Sequence, residues 1–232
     1  MTETTNWKNG AYGSKFIASY SGGKDSTLAL YQSMKVGEAV GLIIMMEEEG
    51  QRSRSHGMPP EIIRAQAEAI GLPIYSAAAS WADYEAEFIT LLKQANEQGA
   101  DVLVTGDLDM PIDNCWHDKV TQIAGLKLAM PLWEMDHYEA VTEFIDLGFQ
   151  SIVVTVNLSL GMREEDLGQL LTHDYIQQLI ARGIDPCGEG GEFHTTVVDG
   201  PLFKQPIPVL KGAILRNGNY AFLPLELLSQ SH

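Results

Sequence analysis

Cysteine is scarce in this 232-residue chain: Cys115 and Cys187 are the only two, and they form no CxxC pair. Neither a thiolate zinc cage nor a disulfide framework is indicated. Basic residues are also few. Fifteen Lys and Arg against 31 Asp and Glu leave a formal charge of −16, which repels a phosphate backbone instead of exchanging with its counterions, so nucleic acid is not expected as a main partner. No run approaches the roughly 20 apolar residues of a membrane span. The start, MTETTNWKNGAYGSK, lacks the basic-then-apolar order of a secretory leader, and the expectation is a cytoplasmic, reducing location. The six histidines are scattered and form no HExxH or other zinc spacing. No repeat or low-complexity tract is present.

What the chain does have is 45% hydrophobic residues, enough to bury a full core in one large or two modest domains. Short apolar segments at 15–20, 39–46, 72–76, 101–105, 127–131 and 151–156 alternate with helical patterns at 25–35, 60–69, 81–98, 115–124 and 138–147. Pro59 and Pro60 open one of these helices and Gly71 stops it. Such alternation predicts an α/β fold with a parallel sheet covered on both faces. Past Asn157 the pattern changes to a helix over 172–182, the glycine-rich GIDPCGEGGEFHT, and short β pieces at 195–198, 208–215 and 220–223, with Asn217-Gly218 as a hairpin turn. Residues 1–135 are therefore expected to form a nucleotide domain and 136–232 a smaller α+β domain.

Between the first strand and the first helix stands Ser21-Gly22-Gly23-Lys24-Asp25-Ser26. Two glycines allow a sharp turn and a close approach to a ligand, and the helix start beyond them offers unpaired N–H groups with a partial positive charge. Ser21 and Ser26 can donate to phosphate oxygens, Lys24 can neutralise charge, and Asp25 can cap the helix or orient magnesium. The spacing is not that of a Walker loop. The complete string matches the PP-loop signature of ATP pyrophosphatases. Enzymes of that kind cleave ATP between its α and β phosphates, activate an oxygen as its adenylate, and let nitrogen or sulfur attack.

Three further strings narrow the likeness: Thr105-Gly106-Asp107, Pro131-Leu132-Trp133, and Gly188-Glu189-Gly190-Gly191-Glu192-Phe193-His194-Thr195 followed by Asp199-Gly200-Pro201-Leu202-Phe203. With the phosphate loop they resemble the diphthine-ammonia ligase family over residues 15–205. The resemblance implies a PP-loop domain with a C-terminal partner domain, ATP and magnesium, free ammonia as nitrogen donor, and a carboxylate substrate, either protein-bound diphthine or a small metabolite. Threonine at position 2 and the settings of Cys115 and Cys187 give no glutaminase nucleophile, in keeping with free ammonia.

On this reading Ser21, Gly22, Gly23, Lys24, Asp25, Ser26, Gly106 and Asp107 hold ATP, with Asp25 and Asp107 as metal ligands. Lys24, Asp25, Glu189 and Glu192 are the catalytic candidates, one of the two glutamates serving as general base. His56, Gly190, Gly191, His194 and Thr195 are assigned to the substrate. Trp133 reads as packing, Cys115-Trp116-His117 as a helix with one packed face, and Glu47-Glu48-Glu49 as a solvated surface. The competing readings are a PP-loop tRNA-modifying enzyme, which the net charge disfavours, and a non-catalytic ATP or AMP sensor, which leaves the acidic GEGGEFHT loop without a purpose. Homo-oligomerisation is left open.

Overall fold

The computed structural model describes residues 7–54, 56–111 and 115–228, so Thr2 and residues 112–114 lie outside them. Among the described residues no helix is long and apolar enough to cross a membrane. The apolar segments of the first half form one sheet of β1 (Lys15–Ser19), β2 (Glu38–Met46), β3 (Ile74–Ala78), β4 (Val102–Val104) and β5 (Lys127–Ala129) in the order β3-β2-β1-β4-β5. Every pairing is parallel. The intervening helices are α1 (Lys24–Met34), α2 (Pro60–Ile70), α3 (Tyr84–Glu97) and α4 (Trp116–Ala124).

Consecutive residues Phe16, Ile17 and Ala18 of β1 are all buried, as are Val102, Leu103 and Val104 of β4. Side chains of neighbouring strand residues point to opposite faces, so both faces of the sheet are covered. On one face Ile17, Ile43, Leu103 and Leu128 pack with Phe88, Leu92 and Ala95 of α3 and Val120 and Ala124 of α4. Gly71 and Gly125 end α2 and α4 in the left-handed conformation that glycine adopts without a Cβ penalty.

The strand order has one functional consequence. The chain builds outward from β1 to β3, then returns to lay β4 on the other side of β1. Where the order reverses, the carboxyl ends of two parallel strands part and leave a crevice, which is where open α/β sheets bind ligands. Here those ends are Ser21, after β1, and Thr105-Gly106-Asp107, after β4.

Contacts divide the chain into two units, Met1–Ser21, Asp25–Ser55 and Leu72–Met135 against Gly22–Lys24, His56–Gly71 and Asp136–His232. The second unit holds α5 (His137–Asp146), α6 (His173–Ala181) and an antiparallel sheet of β6 (Gln150–Asn157), β7 (Phe193–Asp199), β9 (Leu215–Asn217) and β10 (Tyr220–Phe222), ordered β7-β6-β10-β9. A separate antiparallel pair joins β8 (Val209–Lys211) to β11 (Leu225–Leu227), and α2 lies against β11. Asp136 caps α5 and Thr172 caps α6 through their side chains.

Four details differ from the sequence expectation. The helix expected from Trp81 starts at Tyr84, because Ser80 and Asp83 hydrogen-bond each other in a local turn. The β piece expected over 208–215 is two strands in different sheets, separated around Gly212. His194 lies inside β7, one residue ahead of the expected strand start, and β7 begins at Phe193. In the β9–β10 hairpin Asn217 still pairs with Tyr220, so the turn residues are Gly218 and Asn219.

Candidate active site

The phosphate-loop string occupies the turn from β1 into α1, and the division into units passes through it. In the first unit, the Ser21 and Ser26 hydroxyls are 3.0 Å apart and the Ser21 N–H donates to Ser26 Oγ at 3.3 Å. The two serines thus close the loop on each other. Gly106 comes directly against the start of α1: a Cβ there would lie 2.7 Å from both the Asp25 carbonyl carbon and the Ser26 nitrogen, so any side chain would push β4's end away. Gly106 therefore brings the backbones that carry Asp25 and Asp107 together. The Asp25 and Asp107 carboxylates and the serine hydroxyls are hard oxygen donors of the kind magnesium prefers, and any of them could contribute to holding it.

Asp107 also has a neighbour that sequence reasoning set aside. His117 Nδ1 stands 3.7 Å from Asp107 Oδ2. Burial lowers the His117 pKa, although the Asp107 charge works the other way. Trp116 packs on Phe88 and Tyr84 and donates to Glu85, as a helix with one packed face requires. Burial pushes the Cys115 thiol up, which makes it a poor nucleophile. Trp133 borders the core and donates its indole N–H to the Met110 carbonyl, in keeping with packing.

In the second unit Gly22–Lys24 run beside β7. The Val197 N–H donates to the Gly22 carbonyl at 2.9 Å, and the Lys24 N–H donates to Thr195 Oγ1 at 3.2 Å. The Thr195 carbonyl receives His56 Nδ1 at 2.9 Å. A carbonyl can only accept, so Nδ1 carries the proton and Nε2 holds the lone pair in neutral His56. Burial depresses His56 to about 4, against the favourable bond to Thr195, and the Lys24 charge adds to the depression. The His56 ring lies over Gly23, where a Cβ would come within 2.3 Å of its Cε1. His194 stacks obliquely on His56 with ring centroids 4.8 Å apart. Lys24 is buried, with Nζ 5.9 Å from the centre of the Phe193 ring.

The glycine-rich acidic loop is organised by Asp185. Its carboxylate accepts the Cys187 and Glu189 N–H groups, each at 3.0 Å, and His137 Nδ1 at 2.9 Å. Glu189 and Gly190 are exposed, Gly191 has φ +82°, and the buried Glu192 Oε2 has no hydrogen-bond partner among the described residues.

The structure therefore gathers Ser21, Ser26, Asp25, Gly106 and Asp107 in one unit, and Gly22, Gly23, Lys24, His56, His194 and Thr195 in the other. Three residues absent from the sequence reading hold the two loops: Gln66 the phosphate loop, and Asp185 with His137 the acidic loop. A signal for Gln66 existed, since it interrupts the apolar stripe Ile62, Ile63, Ala67 and Ile70 of α2 with an amide that is fully buried.

Residues 14–128 match the family described as diphthamide synthase N-terminal domain, and residues 136–227 the family described as diphthamide synthase C-terminal domain. Among curated relatives, a diphthine–ammonia ligase of Schizosaccharomyces pombe is 27% identical over 83% of this chain and 36% of its own length. Diphthine–ammonia ligases of Danio rerio and Mus musculus are 24% and 25% identical, over 92% and 94% of this chain and 93% and 91% of their own. The chain spans only about a third of the fission-yeast relative and nearly all of the two animal ones.

Proposed function

Because this chain belongs to the diphthamide synthase family, we propose that it is an ATP-dependent ligase that joins ammonia to a carboxylate through an adenylate and releases AMP and pyrophosphate. The observation that carries the reading is the SGGKDS string at the β1–α1 turn, at the end of the strand where the sheet order reverses. An anion seat made of turn backbone and a helix start is the physical requirement for holding a departing pyrophosphate.

In this reading a carboxylate oxygen of the substrate attacks the α-phosphorus of ATP, the bond to the β-phosphate oxygen breaks, and pyrophosphate leaves. Ser21 to Ser26 hold its charge, with Lys24 as the cation. Asp25 and Asp107 would hold magnesium, which neutralises phosphate charge when bound. Ammonia then attacks the acyl carbon, the C–N bond forms, AMP departs with the C–O electrons, and the surplus proton on nitrogen passes to Glu189 or Glu192. His56, His194, Thr195 and the Gly190-Gly191 backbone face the substrate. Residues 1–135 serve ATP and residues 136–232 the acceptor, in the cytoplasm. The relatives' name makes protein-bound diphthine the first acceptor to test, and a small carboxylate the second.

The test is AMP formation from ATP and magnesium, with ammonium and each acceptor in turn. We expect acceptor-dependent AMP in the unaltered protein and a loss of about 100-fold or more in Lys24→Ala, the scale of removing one charge-stabilising donor. Equal turnover in a folded Lys24→Ala protein overturns the proposal.

A further inference from the structure

We infer that Gln66 is a positioning residue of the phosphate loop: its side-chain amide ties the Gly22 carbonyl to β7 and so fixes the direction of the Gly23 N–H. This rests on the reading of SGGKDS as a phosphate seat. Gln66 Nε2 donates to the Gly22 carbonyl at 2.9 Å and to the Val197 carbonyl at 2.8 Å. Both partners only accept, which settles which end of the amide faces them. The Gly22 carbonyl takes a second donor, the Val197 N–H, at 2.9 Å.

A peptide unit is planar and trans, so its C=O and N–H point in opposite directions. Two donors from different elements, one on α2 and one on β7, hold the Gly22 carbonyl, and the Gly22–Gly23 peptide cannot swing about its ends without breaking one of them. The Gly23 N–H is thereby aimed by residues that need not touch a ligand. The arrangement is costly where it need not be. Gln66 is fully buried and its Oε1 has no hydrogen-bond partner among the described residues, a desolvation penalty that an apolar side chain in this stripe avoids. Oε1 instead lies against Gly22, where a Cβ would approach to 2.5 Å, and Gly22 has φ +81°. Glycine at position 22 thus answers two demands, the left-handed backbone and the space for the Gln66 amide.

The experiment uses the full chain and pyrophosphate as the probe. Calorimetric affinity for magnesium pyrophosphate is compared among the unaltered protein, Gln66→Met, and Phe144→Leu, a core variant on α5 that serves as the stability control. We expect Gln66→Met to bind at least ten-fold more weakly than Phe144→Leu at equal thermal midpoint, and its KM for ATP to rise more than kcat falls. Affinity within two-fold of the control overturns the inference. Should Gln66→Met not fold, the unaltered protein supplies the measurement by NMR. The Gly23 amide and the Gln66 side-chain amide must then shift together on pyrophosphate addition, and a Gly23 shift with a still Gln66 amide overturns it. Failure of the unaltered protein to bind pyrophosphate overturns the phosphate-seat reading itself, a result distinguishable from the other two.

Discussion

Two glycine-rich loops carry the chemistry proposed for this chain, and they are held in different ways. Gly22–Lys24 is fastened along its backbone: β7 supplies the Val197 N–H and Thr195 Oγ1, α2 supplies Gln66, and the His56 ring covers Gly23. The 187–192 loop is gathered at its start by one carboxylate, Asp185, which accepts two of its N–H groups and His137, and at its end the Glu192 carbonyl accepts the Asn157 N–H. Between these ends Glu189 and Gly190 are exposed. Fixed dipoles stabilise developing charge only if they need no reorganisation, so a pyrophosphate seat gains from being fastened everywhere. An acidic loop that admits an acceptor and ammonia gains from an exposed tip between fastened ends.

The largest effect expected of breaking this contrast is at the fastened loop. Gly23→Ala places a Cβ 2.3 Å from His56 Cε1 and 3.1 Å from the Thr195 carbonyl oxygen, and shifting either undoes the loop's attachment to β7. We expect acceptor-dependent AMP formation to fall by about 100-fold, the scale of displacing a preorganised donor. A steady-state assay showing less than a three-fold change would mean that the His56 ring yields freely.

Asp185→Ala is expected to act more gently and on a different step. Removing the carboxylate takes this acceptor from the Cys187 and Glu189 N–H groups and His137, about 1–3 kcal/mol for each hydrogen bond to the charged group. Amide formation should fall roughly ten-fold while ATP–pyrophosphate exchange, which needs only the phosphate loop and the acceptor, stays near that of the unaltered protein. Equal loss in both assays would erase the distinction between the loops.

The smallest effect is a pH dependence of stability. His56 sits at about 4 in the folded chain against an ordinary 6.5, chiefly because burial penalises its charged form. The unfolded chain therefore binds more protons between these values, and stability rises with pH wherever that is so. The contribution is fully present above about pH 6.5, declines as pH falls, and is gone by about pH 4. His56→Asn should flatten the denaturation profile over that window by about 1–3 kcal/mol relative to the unaltered protein. Parallel profiles for the two proteins would place the histidine's cost elsewhere.

Much of the fold was legible because it is written locally. The apolar run KFIAS, the glycine turn, the paired prolines before α2 and the glycines after α2 and α4 each act within a few residues, and the structure places the elements where those signals fall. The departures are also local in cause, as with the Ser80–Asp83 turn that delays α3. The groups that hold the site were less legible. Gln66 meets partners 44 and 131 residues away, and Asp185 meets His137 across 48. Nothing in a helical window around Gln66 distinguishes it from an ordinary helix-forming glutamine except that it interrupts a buried stripe.

The sequence by itself determined the alternating α/β first half, the change of character after Asn157, the phosphate-loop string and the acidic glycine loop, since backbone propensity, burial period and turn chemistry are short-range properties. Tertiary structure alone decided which way those loops face and how firmly they are held. It laid β4 beside β1, brought Gly106 onto the start of α1, set Thr195 and Val197 against Gly22–Lys24, and turned a buried glutamine toward two carbonyls. Hydrogen bonds between distant segments depend on where strands and helices come to rest against one another, and that placement is a property of the whole packed chain rather than of any stretch of it.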